Sequence, residues 1–231
     1  MTKVLQYTIG IVFSICLMIV LLFTSVEAAV YWTPGYFEKE YAKYHVPEAV
    51  SMSMEDLLHV TEEMMDYLKG DREDLHVVTT MGGVNREFFN AREIAHMKDV
   101  KGLFLGALSL RRACLLIMAI CLILLILLKT TFHTTFIKAL CIGTALFFLL
   151  FAGIAGIIAT DFTKYFILFH RIFFHNDFWM LDPSTDMLIN IVPEGFFRDT
   201  VFYIGFLSIS TILIILLISA LILHKYGKNI K

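Results

Sequence analysis

Residues 113–128 read ACLLIMAICLILLILL, and this uninterrupted apolar run decides the fold class of the chain. Three further apolar runs lie at residues 7–30, 139–159 and 200–223. A helix needs about 20 apolar residues to cross a hydrocarbon core about 30 Å thick, so each run is predicted to span a membrane. Hydrophobic residues make up 58% of the chain, which fits a polytopic membrane protein rather than a soluble domain with one anchor.

Charge is distributed unequally between the segments that join these runs. All 21 acidic residues fall within residues 27–99 and 161–199. The other hydrophilic segments, residues 1–6, 129–138 and 224–231, contain lysines and no acidic residue. By the positive-inside bias these segments are predicted to be cytoplasmic. Both termini would then lie on the cytoplasmic side of the cell membrane. The two acid-bearing segments, with any active site, would lie at its outer face.

The predicted fold is an all-α membrane protein with four transmembrane helices and a small, mainly helical extracytoplasmic cap. Its parts are a first transmembrane helix, an extracytoplasmic segment with amphipathic and interfacial helices, a transmembrane hairpin, an aromatic-rich extracytoplasmic segment, and a fourth transmembrane helix with a cytoplasmic lysine-rich tail. In that order they cover residues 1–30, 31–112, 113–159, 160–199 and 200–231. The first run has signal-like small residues near Ala28, but it is long for a secretory signal and is expected to be retained as a span.

An amphipathic helix is predicted at residues 53–69, in the first acid-bearing segment. Ser53-Met54-Glu55-Asp56 resembles a capping box with Asp in the Glu position, and Gly70 is a natural C-terminal stop. The predicted apolar face consists of Leu57, Val60, Met64 and Leu68.

The chain between this helix and the second span is predicted to contain a short strand at residues 75–79. Asn85 is then predicted to cap a helix over residues 86–110. Arg111 and Arg112 follow, and they are expected to snorkel to the outer interface, with the second span starting at residue 113. The alternative is that the two arginines hold an acyl carbonyl or a lipid headgroup.

Composition excludes several classes of function. No basic cluster exceeds the short lysine tails, so nucleic acid is not an expected partner, and these tails suit anionic lipid headgroups instead. A protein nucleophile is also disfavoured, because no G-x-S-x-G motif occurs and every cysteine lies within an apolar run. For the same reason the cysteines cannot form a disulfide framework or a thiolate metal site. These cysteines are Cys16, Cys114, Cys121 and Cys141.

Two clusters carry the residues best suited to chemistry, NAREIAHMKDVK at residues 90–101 and FHRIFFHND at residues 169–177. On a helix, Arg92, His96 and Asp99 share one face, which would present a cation, a base and a carboxylate that orients it. In the second cluster His170 lies among aromatic residues. The two imidazoles are predicted to converge, the alternative being that each keeps its polar tip in water.

Two weaker signals involve the same segments. His96 and Asp99 with His170, His175 or Asp177 would suit a metal site, but no HExxH motif or cysteine ligand supports it. The acidic residues after residue 177 are interpreted either as a turn with Asx-type bonds at Asp182 and Asp186 or as carboxylates that orient a catalytic histidine.

Three motifs carry a resemblance to a known family, namely NAREIAHMKDVK, FHRIFFHNDFWMLDPSTDMLI and VPEGFF. With the order of the spans and the Met/Leu-rich helix at residues 53–69, they resemble the four-span, Lit-type lipoprotein intramolecular transacylases of Gram-positive bacteria. The resemblance implies conversion of a diacylglyceryl-modified lipoprotein into its lyso form. One ester-linked acyl chain would move from the glycerol to the α-amino group of the lipidated N-terminal cysteine.

The resemblance also implies which residues carry the reaction. His96 and His170 are the expected catalytic pair, one acting as base and the other as acid or oxyanion donor, without assignment. His175 lies outside the motif. The expected partners are a diacylglyceryl lipoprotein and membrane lipids, and no cofactor is expected. The alternatives are a non-enzymatic membrane accessory or lipid-binding protein, and a metal-dependent membrane hydrolase. Supporting candidates are Arg92, Glu93, Asp99, Asn176, Asp177 and Asp182.

Overall fold

The structure is a computed structural model that describes residues 3–127 and 132–227. The predicted cytoplasmic link at residues 129–138 and tail at residues 224–231 lie partly outside these described residues. The chain divides into two compact units. An apolar unit comprises Met1–Ala28, Leu108–Thr160 and Tyr203–Lys231. A charged unit, which holds every acidic residue except Glu27, comprises Ala29–Ala107 and Asp161–Phe202.

Helices dominate the described residues, and the only sheet among them is a two-stranded hairpin. A π-helical turn at Ala28–Trp32 directly follows α1. The elements are α1 (Lys3–Glu27), α2 (Tyr36–Lys43), α3 (Val46–Val50), α4 (Met54–Lys69), β1 (Val78–Met81), β2 (Val84–Glu87), α5 (Ala91–Leu127), α6 (Phe132–Thr160), α7 (Phe162–Phe173), α8 (Leu188–Ile191) and α9 (Glu194–Gly227).

Four of the described helices are long and apolar enough to cross a membrane: α1 with its π-helical turn, α5, α6 and α9. The predicted all-α fold with four membrane helices is therefore confirmed. The element limits differ from those expected, since α6 begins at Phe132 and includes residues assigned to the cytoplasmic link.

Helix α5 is continuous through the expected start of the second span, so no helix boundary lies at residue 113. Its 37 residues correspond to about 55 Å, well beyond the thickness of a hydrocarbon core. The charged residues of its first three turns are costly in hydrocarbon, so residues 91–101 lie outside the membrane-spanning part. Arg111, farther along, pairs with Glu27 of α1, whereas a lipid contact or the membrane interface was predicted for it.

Small residues allow α1 and α6 to pack closely in the apolar unit. A Cβ atom placed on Gly143 would lie 2.5 Å from the Cβ atom of Ser14, and one on Gly10 would lie 2.5 Å from that of Ala139. Such distances are too short for any side chain, so both positions require glycine. Gly153, two to three turns beyond Gly143 on α6, has no described atom within 4 Å of an added Cβ.

Replacement of Gly143 by valine is therefore expected to destabilise the apolar unit. Overpacking of this kind costs about 1–3 kcal/mol, and the Tm of the detergent-purified protein should fall by several degrees. The Gly153→Val variant is the matched control, because it adds the same side chain to the same helix without a clash. Equal Tm values for the two variants, measured by intrinsic fluorescence during heating, would contradict the close α1–α6 contact.

The charged unit contains the predicted amphipathic helix with the expected limits. Ser53 Oγ accepts the N–H of Asp56 (3.0 Å) and donates to its carboxylate (2.6 Å), and Gly70 ends the helix with φ 88°. The four predicted apolar positions are all buried. The prediction for Asn85 is wrong, because this residue lies in β2 and pairs with Thr80 of β1.

The start of α9 packs against α7 within the charged unit. Phe197 and Phe166 have ring centroids 5.3 Å apart, and Thr163 Oγ1 donates to the carboxylate of Glu194 (2.5 Å). Asp161 accepts the N–H of Lys164 and so caps α7 at its first turn. These contacts fix the helix that carries His170.

Candidate active site

Asn90 and Glu93 fix the start of α5, the helix that carries His96. The side-chain oxygen of Asn90 accepts the N–H groups of Arg92 (2.9 Å) and Glu93 (3.0 Å). One carboxylate oxygen of Glu93 accepts the N–H of Asn90 in return (2.7 Å). This is a reciprocal capping box, in which Asn-x-x-Glu replaces the usual Ser-x-x-Glu. It places His96 in the second turn of α5.

Glu93 also ties α5 to α8. Its side chain is fully buried, and its second carboxylate oxygen accepts the N–H of Leu188 at 2.5 Å. Burial raises the pKa of this carboxyl group, and the backbone N–H donors oppose that shift. Because both oxygens are bonded to backbone donors, Glu93 holds the helix of His96 in place.

His170 has a fixed tautomer. Its Nδ1 atom lies 2.7 Å from the carbonyl oxygen of Phe166, one turn earlier on α7. A carbonyl oxygen can only accept, so Nδ1 carries the hydrogen and Nε2 of the neutral ring has a free lone pair. The side chain is only 8% exposed. His170 therefore presents a proton acceptor, and no N–H donor, at Nε2.

The two imidazoles are close neighbours within the charged unit. The ring centroids of His96 and His170 are 6.0 Å apart, and His96 is only 7% exposed. Aromatic rings enclose the pair: Phe174 meets His96 edge-on at 5.1 Å, and Phe166 and Trp179 lie 4.3 Å and 5.1 Å from His170. The two histidines are therefore close together, as predicted, and their surroundings are apolar.

This setting keeps both imidazoles neutral at physiological pH. Burial, together with the nearby His170, lowers the pKa of His96 to about 4, against a weaker opposing effect of Asp99. Burial also lowers the pKa of His170, and the hydrogen bond to Phe166 opposes this. Two neutral imidazoles together can accept a proton and donate a hydrogen bond.

A clamp of four polar residues holds the segment after α7 against α5. These residues are Arg92 and Asp99 on α5 and Asn176 and Asp177 in the segment. The Arg92 guanidinium donates to the backbone carbonyl of Asp177 and lies 3.7 Å from its carboxylate. Asn176 donates to the carboxylate of Asp99 at 2.8 Å. The Asp99 carboxylate thus bonds to Asn176, and no hydrogen bond links it to His96 as an orienting partner.

Two buried nitrogens near this clamp have no hydrogen-bond partner among the described residues, Nδ1 of His96 and Nε of Arg92. Buried polar groups normally have partners. Because His96 Nδ1 belongs to the paired imidazoles, it is a candidate contact for a substrate.

The remaining candidates lie elsewhere. Asp182 is exposed, and its carboxylate accepts the N–H of Ser184 (2.9 Å), which is the Asx-type turn predicted as one alternative. Asp186 is buried, and its carboxylate accepts the N–H of Asp182 (2.7 Å) and the side-chain amide of Asn90 (2.7 Å). His175 is exposed. The turn that contains Asp182 and Asp186 therefore stabilises the cap of α5 through Asn90.

Asn90 and Trp179 also belong to the site, although neither was predicted as a site residue. The Asn-x-x-Glu spacing of residues 90–93 was the available signal for the first, and no local pattern marks the second. As for metals, no group of three or more His, Cys, Asp or Glu side chains able to hold an ion occurs among the residues the structure describes.

The fold and this site define a polytopic helical membrane protein with two buried histidines side by side. The family model of the lipoprotein intramolecular transacylase Lit matches residues 11–197. The chain belongs to this family and is an acyltransferase.

Solved structures show the same fold. The membrane-integral lipoprotein intramolecular transacylase Lit from Bacillus cereus matches with a TM-score of 0.81 and 21% identity, over 98% of this chain and 100% of that one. Variants of it with one histidine replaced by arginine or by alanine both match with a TM-score of 0.76 and 21% identity over 97% of this chain, and over 95% and 96% of theirs. No curated protein matches the chain significantly.

Proposed function

We propose that this acyltransferase moves an ester-linked acyl chain of a diacylglyceryl-modified lipoprotein to the α-amino group of the lipoprotein's own N-terminal cysteine. The product is the lyso form, with an N-acyl and an S-monoacylglyceryl cysteine. The observation that carries this proposal is the pair of buried imidazoles 6.0 Å apart. Membership of the lipoprotein intramolecular transacylase family supports the substrate class.

The first step is attack by the substrate amine. An α-amino group has a pKa of about 7.7–8.0, so it first releases its ammonium proton to solvent, and the neutral amine then bonds through nitrogen to the ester carbonyl carbon. The nitrogen that has bonded to carbon must lose a second proton to become an amide, and His170 is suited to take it, because its Nε2 lone pair is free while Nδ1 donates to Phe166. The same proton then goes to the leaving glycerol oxygen as its bond to carbon breaks.

His96 is suited to a different role. Its pKa of about 4 makes it a weak base, but a neutral imidazole still carries one N–H that can donate to the oxyanion of the tetrahedral intermediate. The low polarity of the aromatic enclosure strengthens such a hydrogen bond. We therefore assign His170 as the base and His96 as the oxyanion donor.

No nucleophile from the protein is needed. The amine and the ester belong to one substrate molecule, and holding them in contact contributes about 7–11 kcal/mol in favourable intramolecular reactions. All four cysteines lie on α1, α5 and α6 in the apolar unit and take no part. Arg92, Asp99, Asn176 and Asp177 act as positioning residues, because they hold the segment after α7 against α5.

The proposed orientation places both termini in the cytoplasm and the histidine pair at the outer membrane face. Lys138 and Lys225 support it, since each lies at the end of its membrane helix that is distant along the chain from the charged unit. A lipoprotein substrate is itself anchored at the outer face, where its amine and glycerol ester are at headgroup level.

The test is mass spectrometry of a lipoprotein N-terminal peptide after expression of the protein in a host that lacks the activity. We expect the N-acyl, S-monoacylglyceryl cysteine, with no change in total acyl content because transfer conserves both chains. Release of free fatty acid, with loss of activity in a chelator, would instead indicate a metal-dependent hydrolase. An unchanged diacylglyceryl cysteine would indicate an accessory or lipid-binding protein.

A further inference from the structure

An open groove in the charged unit has no role in the proton transfers proposed above. Its volume is about 470 Å³, and its walls come from the end of α3, the β-hairpin and the residue that precedes α8. The N–H of Gly82 in the hairpin turn donates to the carbonyl of Ser51 (3.0 Å), which holds the hairpin against the end of α3. Volumes of this size are typical of binding sites rather than of packing defects.

A hydrogen bond links the wall of the groove to the helix that carries His96. Met187 forms part of its wall, and the N–H of the next residue, Leu188, donates to Glu93 at 2.5 Å. Glu93 lies one turn before His96 on α5. A single buried carboxylate therefore connects the wall of the groove to the helix of His96.

The edge of β2 offers backbone groups to an extended chain. The N–H of Phe88 donates to the carbonyl of Val77 (2.8 Å), and antiparallel ladders alternate bonded and non-bonded pairs. By this alternation the backbone N–H and C=O groups of Asn85 and Glu87 point away from β1. An unpaired edge of this kind binds extended peptides by adding a strand.

The side chains of β2 suit the same ligand. Arg86 donates from Nε to the sulfur of Met81 (3.3 Å), and no carboxylate lies within ion-pair distance of its guanidinium among the described residues. It is free to bind a peptide carbonyl or an acidic side chain. Val84 is 63% exposed and lines the groove beside it, where it offers an apolar contact.

We infer that this groove binds the extended peptide that follows the lipidated cysteine of the substrate, an inference that rests on the proposed acyl transfer. The lipid and the cysteine occupy the histidine pair, and the next residues run along β2. At about 3.3 Å per residue, the four residues of β2 match about four residues of an extended peptide. Recognition through main-chain groups depends little on the side chains of the peptide.

The test compares two synthetic substrates, diacylglyceryl cysteine amide and the same group followed by five residues. In the wild type the longer substrate should have the higher kcat/KM by about tenfold, as one or two added main-chain hydrogen bonds predict. The Val84→Trp variant fills the groove and should remove this advantage while leaving the cysteine amide unchanged. Val78→Trp is the matched control, since Val78 is also 63% exposed but lies on β1 outside the groove.

Three results would overturn the inference. They are an equal kcat/KM for both substrates in the wild type, the same length dependence in Val84→Trp as in the wild type, and loss of both substrates in Val84→Trp but not in Val78→Trp. Failure of the proposed function looks different, because the wild type would then transfer no acyl chain within either substrate. Binding of the fluorescent five-residue lipopeptide, about tenfold weaker in Val84→Trp than in Val78→Trp, gives an independent readout.

Discussion

Replacement of His170 by glutamine is expected to lower the rate of acyl transfer by about 10²–10⁴, the usual contribution of a positioned general base. Glutamine is close in size and remains polar, but its amide cannot take a proton from the attacking amine. The loss should appear in kcat with little change in KM, because the aromatic enclosure of the site is retained. The measurement is the rate of formation of N-acyl lipopeptide by purified protein in detergent.

His175→Gln is the control for this experiment. His175 follows His170 by five residues, but its side chain is exposed, whereas that of His170 is buried against Phe166 and Trp179. The same substitution there should leave the rate within about twofold of the wild type, as surface substitutions away from a site usually do. A His170→Gln protein that keeps the wild-type rate, at an unchanged Tm, would contradict the assignment of His170 as the base.

The membrane architecture could be predicted from the sequence because its signals are local and strong. A run such as residues 113–128 has few alternatives to a membrane helix, and the predicted apolar face of α4 is buried as expected. Helix limits were predicted less well. A helix over residues 86–110 and a second span starting at residue 113 were predicted, whereas one continuous helix, α5, covers Ala91–Leu127.

The error at Asn85 shows how two local signals compete. Asn85 was interpreted as a helix cap, but Gly82 and Gly83 precede it with φ values of 57° and 81° and so favour a tight hairpin. Asn85 pairs with Thr80 as a result, and the cap is provided by Asn90, five residues later. The capping partner Glu93 distinguishes the two asparagines, because no Glu or Gln stands three residues after Asn85.

The site could be predicted only in part. Residue types and spacing marked His96 and His170, but the contacts that define their chemistry join distant parts of the chain. The donor to Asp99 is Asn176, 77 residues away, and the N–H bonded to Glu93 belongs to Leu188, 95 residues away. Pairings of this kind depend on tertiary packing, and no periodicity in the sequence encodes them.

The assignment of His96 as the oxyanion donor predicts unequal effects of two substitutions at this position. His96→Ala removes the donor and should reduce kcat by about 10²–10³, the usual cost of losing one oxyanion contact. His96→Gln keeps an N–H donor on a side chain of similar reach, and it should recover a large part of that loss. If His96 were instead the base, glutamine would be as inactive as alanine.

The contrast with His170 makes the assignment testable within one set of four proteins. At His170, alanine and glutamine should both be inactive, because neither side chain accepts a proton. At position 96, the kcat of the glutamine variant should be at least about tenfold higher than that of the alanine variant. The reason is that the amide N–H of glutamine replaces part of the oxyanion contact. The reverse pattern, with rescue by glutamine at His170 only, would exchange the two roles but keep the acyl transfer. Because burial leaves the pKa of His96 near 4, this N–H donor stays neutral across the whole pH range in which a lipoprotein amine can attack.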